Sequence, residues 1–125
     1  MMRTILRLNA LSCIVFGVFF IAMPWVIADF LSANNPAPSW LVVILGVGLL
    51  ANGAHLIWTS FQTTIARKWV RHFYTGDFIW VLATAVLIVS GLWITSLKGI
   101  VAAVLVAVFV GCIGVLQLKK SQELL

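Results

Sequence analysis

Acidic side chains are almost missing from this chain. Its 125 residues include only Asp29, Asp77 and Glu123 as acids. Charged residues of both signs make up 9%, hydrophobic ones 63%, and the mean hydropathy is +1.16. A soluble domain of this size needs far more polar surface. The composition therefore reads as a small membrane protein with no room for a separate soluble catalytic domain. Histidine is equally scarce, and His55 and His72 are too isolated for a histidine metal site. No Ser-His-Asp set, metal-ligand spacing or phosphate loop occurs, so no catalytic activity and no cofactor are expected. Cysteine is limited to Cys13 and Cys112, with no C-x-x-C pair. Inside apolar segments they read as small hydrophobes. A redox role for the two, set at similar depth, is a weaker alternative.

What is abundant is long apolar sequence. A membrane-crossing helix needs about 20 apolar residues. Four runs qualify: Ile5–Phe30, Trp40–Phe61, Phe73–Trp93 and Ile100–Leu118. Between them lie the polar, proline-bearing Ser32–Ser39, the basic and partly helical Gln62–His72, and the short Ile94–Gly99. The last is short enough to demand a tight antiparallel hairpin. Pro24 is expected to kink or end the first helix. The first run also resembles a signal peptide, with Arg3 and Arg7 ahead of it and Val26–Ala28 as a cleavage site. Its apolar length exceeds the roughly 7–15 residues usual for such a segment, which favours a retained span.

The formal net charge is +5, and its placement sets orientation. Arg3, Arg7, Arg67, Lys68, Arg71, Lys119 and Lys120 all fall on one side of a four-span arrangement, and Lys98 falls on the other. The positive-inside rule then makes both termini cytoplasmic. Short basic groups beside apolar spans argue against a nucleic-acid surface, so no nucleic-acid partner is expected. Trp25, Trp40 and Trp93 fit an outer aromatic belt, Trp58 and Trp69 an inner one, and Trp80 lies deeper. The expected fold is all-α, one membrane domain over residues 1–125. Four transmembrane helices run up and down in an antiparallel, left-handed bundle.

Small and polar residues mark the inward faces. In the fourth span Gly99, Ala103, Ala107 and Gly111 recur every four residues, a stripe expected to face another helix. Gly48, Asn52, His55 and Thr59 share a face of the second span, and Asn9, Cys13 and Gly17 one of the first. Asp77, Thr84 and Gly91 do so in the third. Aligning Asn9 with Asp77 also aligns Trp25 with Trp93, a faint sign of a parallel two-plus-two repeat.

Helix rise puts Asp77 roughly 7–8 Å inside the cytoplasmic boundary, His55 about 12 Å and Asn52 near the midplane. With Asn9, Thr59 and Gln117 they form a candidate intramembrane polar cluster in one leaflet. Asp77 has two readings. As a structural group it accepts from Arg7, Arg71, Asn9 or His55 and fixes helix register. As a functional group it exchanges protons with His55. Its shallow depth and the nearby arginines favour the structural reading.

Gly76–Ile88, Ile94–Gly99 and the closing Val115–Leu118 resemble a group of small bacterial four-helix membrane proteins. That group carries a D-x-x-W-V run in its third helix, a Thr…Gly hairpin, and a last helix ending near a Gln; Leu8–Leu11 fits its first helix. The resemblance implies the fold and a bacterial inner membrane, and singles out Asn9, Asp77, Trp80, Thr95, Gly99 and Gln117. It implies no activity. Small multidrug resistance transporters match in size, but their membrane-embedded glutamate in the first helix has no counterpart; Asn9 stands there instead. Fluoride channels carry a different, Thr- and Phe-rich polar track. The functional expectation is a non-catalytic accessory or interaction subunit, in contact with the lipid bilayer and with a membrane-protein partner. The alternative is a homo-oligomeric transporter or ion conduit with proton exchange at Asp77 and His55.

Overall fold

Proline sets the first boundary. It has no N–H and cannot follow a carbonyl four residues back inside a helix. In a computed structural model, which describes residues 2–33 and 36–122, α1 covers Met2–Ala22 and α2 covers Pro24–Leu31. Met23 (φ −136°, ψ 58°) separates them, and Pro24 takes the first position of α2, where a missing N–H costs nothing. The remaining helices are α3 (Ser39–Ser60), α4 (Arg67–Ser90) and α5 (Leu97–Ser121). All described regular structure is helical, and α1, α3, α4 and α5 are long and apolar enough to cross a membrane.

Helix ends follow local backbone chemistry more closely than they follow hydropathy. α4 begins at Arg67, ahead of the apolar run that starts at Phe73, because Val70 and Phe73 form a buried i, i+3 pair. It stops at Ser90 because Gly91 adopts φ +70°. Leu92 N–H then reaches back to the Leu87 carbonyl (3.1 Å), the Schellman pattern. Trp93 follows at φ +65°, bracketed by an Ile94 N–H to Leu92 carbonyl bond of 2.7 Å. This is a strained γ-turn for a bulky residue. Ser96 caps α5, its hydroxyl accepting from Gly99 N–H at 2.9 Å. Lys119 and Lys120 close its last turn, where cations complement the helix dipole.

The α4–α5 turn also closes α2. Thr95 N–H and Ser96 N–H both donate to the Leu31 carbonyl (2.9 and 3.1 Å), and Ser96 Oγ donates to the Phe30 carbonyl (2.6 Å). Ser32 and Thr95 hydroxyls meet at 3.2 Å. Orphan carbonyls at a helix end, costly in lipid, are thereby satisfied. Gly99 makes this approach possible: a Cβ there would lie 2.5 Å from the Leu31 carbonyl oxygen and 2.6 Å from its Cα. Gly99→Ala is therefore expected to destabilise the protein by about 1–3 kcal/mol. A lower unfolding midpoint, with faster amide exchange over residues 28–32, would check it; unchanged exchange there would contradict it.

α1 packs along α3, and α4 along α5. The first pair is drawn close by glycine. A Cβ on Gly17 would stand 2.9 Å from the Gly46 carbonyl, one on Gly46 2.9 Å from that of Gly17, and one on Gly53 2.8 Å from Ile14 Cγ1. In the second pair Gly114 receives the ring of Phe78. A buried apolar cluster of Met2, Leu6, Ala10, Leu56, Val70 and Phe73 joins the start of α1, the end of α3 and the start of α4. Arg3 reinforces that end, donating to the Ser60 (2.5 Å) and Thr63 (3.1 Å) carbonyls. Elsewhere the helices show broad apolar surfaces outward, as at Val89, 88% exposed. That is the surface expected against lipid.

Candidate intramembrane polar site

Between the two helix pairs lies a cavity of about 430 Å³, with walls from α1, α3, α4 and α5. Its polar side is built around Asp77. Asn9 Nδ2 on α1 donates to Asp77 Oδ2 at 3.2 Å, and Gln117 Nε2 on α5 donates to the same oxygen at 2.6 Å. All three are buried, at 3%, 6% and 0% exposure for Asn9, Asp77 and Gln117. Three helices are thus tied to one carboxylate oxygen. The network runs on through sulfur: Cys13 Sγ donates to Asn9 Oδ1 (3.6 Å), and Asn52 Nδ2 on α3 donates to Cys13 Sγ (3.5 Å). Every long helix contributes at least one side chain to the network, and α1 contributes two.

Local sequence explains the convergence. Asn9 and Cys13 are one helical turn apart, and Ser12 Oγ is satisfied on the Asn9 carbonyl (2.8 Å). Asp77 and Phe78 face α5 where Gly114 leaves room, so the α5 backbone comes within reach of the carboxyl. Gln117, one turn beyond Ile113, extends toward it and shares Nε2 with the Ile113 carbonyl (3.3 Å). Gln117 Oε1 is buried without a hydrogen-bond partner among the described residues. Asp77 Oδ1 also receives no hydrogen bond among the described residues.

Of the six polar residues picked out by the sequence, Asn9, Asn52, Asp77 and Gln117 belong to this network. His55 does not. Its ring packs on Trp69 (4.8 Å between centroids, edge-on), Phe73 (5.0 Å), and Trp58 and His72 (each 5.9 Å). It fills the gap between α3 and α4 as one aromatic among several. Thr59 is fully buried, and its hydroxyl has no hydrogen-bond partner. The expected arginine partners are engaged or exposed elsewhere. Arg7 Nε donates to Ser60 Oγ (3.3 Å) and its guanidinium lies over Phe61 (4.5 Å), while Arg71 is exposed. No ion pair to Asp77 occurs among the described residues.

The small-residue stripe of α5 divides. Gly99 is buried against α2, Ala103 is half-buried, and Ala107 and Gly111 line an outward groove between α4 and α5. The interior contact is made by Gly114 instead. Cys112 also lies on the outward groove, whereas Cys13 is inside the polar network, so the two free thiols belong to different surfaces. Sequence reasoning treated Cys13 as filler; its i, i+4 spacing from Asn9 was the available signal. Gly46 and Gly53, one heptad apart, make the close contacts of α3, whereas a Cβ on Gly48, which shares the polar face, would meet nothing within 4 Å. No protein-family model, curated protein or solved structure matches this chain.

Proposed function

We propose that this chain is an inner-membrane protein of bacterial type that crosses the bilayer four times, with successive helices antiparallel and both termini cytoplasmic. The charge asymmetry supports that orientation. So does the meeting of early α1 (Asn9), early α4 (Asp77) and late α5 (Gln117) at one level. Its role is that of a non-catalytic interaction subunit, with Asn9, Asp77 and Gln117 holding helix register.

The groove between α4 and α5 carries this reading. It encloses about 830 Å³ and is lined by Phe78, Val81, Ala85, Val104, Ala107 and Gly111 among others. Its one hydroxyl, on Thr84, is already bonded to the Trp80 carbonyl (2.8 Å). Small residues at a lipid-facing position let another backbone approach closely. The occupant we propose is one apolar transmembrane helix of a partner protein.

The test fills the groove. A Cβ on Gly111 meets only Val81 Cγ2, at 3.7 Å, so Ala107→Leu with Gly111→Leu is expected to fold like the parent. Native mass spectrometry after mild extraction from the natural membrane is expected to show a heteromeric complex for the parent and none for the variant. A complex that survives the substitutions, or a parent found alone, sinks the reading. A homo-oligomer would point to the second reading, a conduit exchanging protons at Asp77 and His55. The cavity beside Asp77 favours that alternative; the aromatic packing of His55 weighs against it.

A further inference from the structure

The cavity between the two helix pairs raises a separate question. Asp77 is the one acidic residue among those that line it. Its two hydrogen-bond donors are neutral amides, and both use Oδ2. Arg3 and Arg7 are bonded at the end of α3 and the start of the connection after it, and Arg71 is exposed. Groups that titrate along the same wall are Cys13 from α1 and His72 from α4; α3 and α5 supply none. A carboxylate in a membrane interior needs a counter-charge, and among the described residues no lysine or arginine is paired with Asp77.

We propose that the cleft between α3 and α4 binds an amphipathic organic monocation, with the Asp77 carboxylate as its counter-ion. The cavity's size falls in the range of about 300–1,000 Å³ typical of small-molecule sites. Beyond Asn9, Ser12, Cys13, Asn52, His72 and Asp77 the lining is apolar or aromatic, including Phe16, Leu45 and Trp80. Aromatic rings beside a single carboxylate suit an organic cation with a delocalised or shielded charge. A divalent metal is a poor fit, because no group of three or more metal-ligating side chains occurs among the described residues.

The route of entry is lateral. α3 and α4 touch through rings at one end, where His55 meets Trp69 and Phe73. Further along, Gly48 on α3 and Gly76 on α4 both line the cavity, and a Cβ on either would meet nothing within 4 Å. Both glycines are exposed, so the cavity has a lipid-facing opening here. A hydrophobic cation concentrated in the bilayer reaches Asp77 through it without crossing the core.

The experiment measures binding of tetraphenylphosphonium to the full chain in lipid nanodiscs, with empty nanodiscs as the partition control. Tetraphenylborate, an anion of like size and shape, is the charge control. Saturable binding of the cation and none of the anion is expected. Asp77→Asn keeps the side-chain shape and an oxygen for both amides, and is expected to weaken binding about tenfold or more. A Cβ at Gly48 meets nothing within 4 Å, so Gly48→Leu is expected to fold like the parent and to narrow the cavity, with a similar loss expected. Absence of saturable cation binding overturns the proposal, as does equal uptake of the anion. If Asp77→Asn fails to fold, Gly48→Leu decides alone, and undiminished binding there overturns the proposal. The site shares no lining residue with the α4–α5 groove, so loss of the partner complex and loss of cation binding report on different claims.

Discussion

Gly46→Val is expected to separate α1 from α3. A β-carbon at residue 46 meets Ile21 Cγ1 at 2.8 Å and both the Gly17 carbonyl oxygen and Phe20 Cβ at 2.9 Å. Two of these neighbours could shift; the Gly17 carbonyl belongs to a helix backbone and cannot move alone. Water-driven burial does not hold helices together inside lipid, so close packing must do so. Valine adds two methyl groups beyond the first carbon. The expected loss is at least about 3 kcal/mol, the upper end of overpacking costs. Titration of the refolded protein with a denaturing detergent would measure it. Gly48→Ala, two residues along, is the control. Nothing stands within 4 Å of its added carbon, and alanine relieves glycine's backbone entropy in a helix by roughly 0.5–1 kcal/mol, so stability is expected to hold or rise. Equal destabilisation by both would show that helix pairing does not depend on the Gly17–Gly46 approach.

Asp77→Leu is expected to be the most damaging change in the polar network. It strands Asn9 Nδ2 and leaves Gln117 Nε2 with the Ile113 carbonyl alone. An unmet buried donor costs about 1–3 kcal/mol, whereas a hydrogen bond between membrane helices contributes on average only about 0.6 kcal/mol. Part of the loss is offset because leucine removes an expensive charge. We expect a net loss of about 2 kcal/mol for leucine and under about 1 kcal/mol for asparagine, which retains an acceptor oxygen. If both variants unfold at the same detergent concentration as the parent, Asp77 does not set register.

Much of this site was legible in the sequence for one reason. Polar side chains in an apolar span are few, and lipid forces them inward, so counting them comes close to finding the cluster. Asn9, Asn52, Asp77 and Gln117 follow from that rule together with helix rise. His55 shows where the rule stops. It shares the polar face of α3 with Asn52 by spacing, but three residues further on, α4 presents Trp69 and Phe73 instead of a carboxyl. Which neighbour a face meets depends on helix rotation and crossing, and neither is written in one helix's own spacing. The α5 stripe fails in the same way. A fourfold repeat of small residues marks a place where something comes close, but it does not separate a partner inside the chain from one outside. The boundaries of α4 were hidden for a different reason. Its start is set by Val70 and Phe73 within a basic stretch, and its end by the left-handed Gly91, so the apolar run marks neither.

The pairing of Asn9 with Asp77 bears on the faint repeat. The two residues that align with each other also hydrogen-bond to each other. Equivalent residues meet at an axis only if that axis passes between them. The contact therefore fits a pseudo-twofold relation between α1 and α4, with the carboxyl present in one half and its amide counterpart in the other.

The bonds from Thr95 and Ser96 to the carbonyls of Phe30 and Leu31 also set a schedule. The chain is made from its N-terminus, so α2 is synthesised more than sixty residues before the turn that closes it, as the separations of 65 and 66 residues for the Ser96 bonds record. During that interval the end of the first apolar run has open acceptors and must find them temporary donors. Its final seat exists only once α4 has ended at Gly91 and the next turn has formed. The earliest-made of the described helices are thus among the last to be locked, and assembly closes as a ring in time, its late turn fastening its early end.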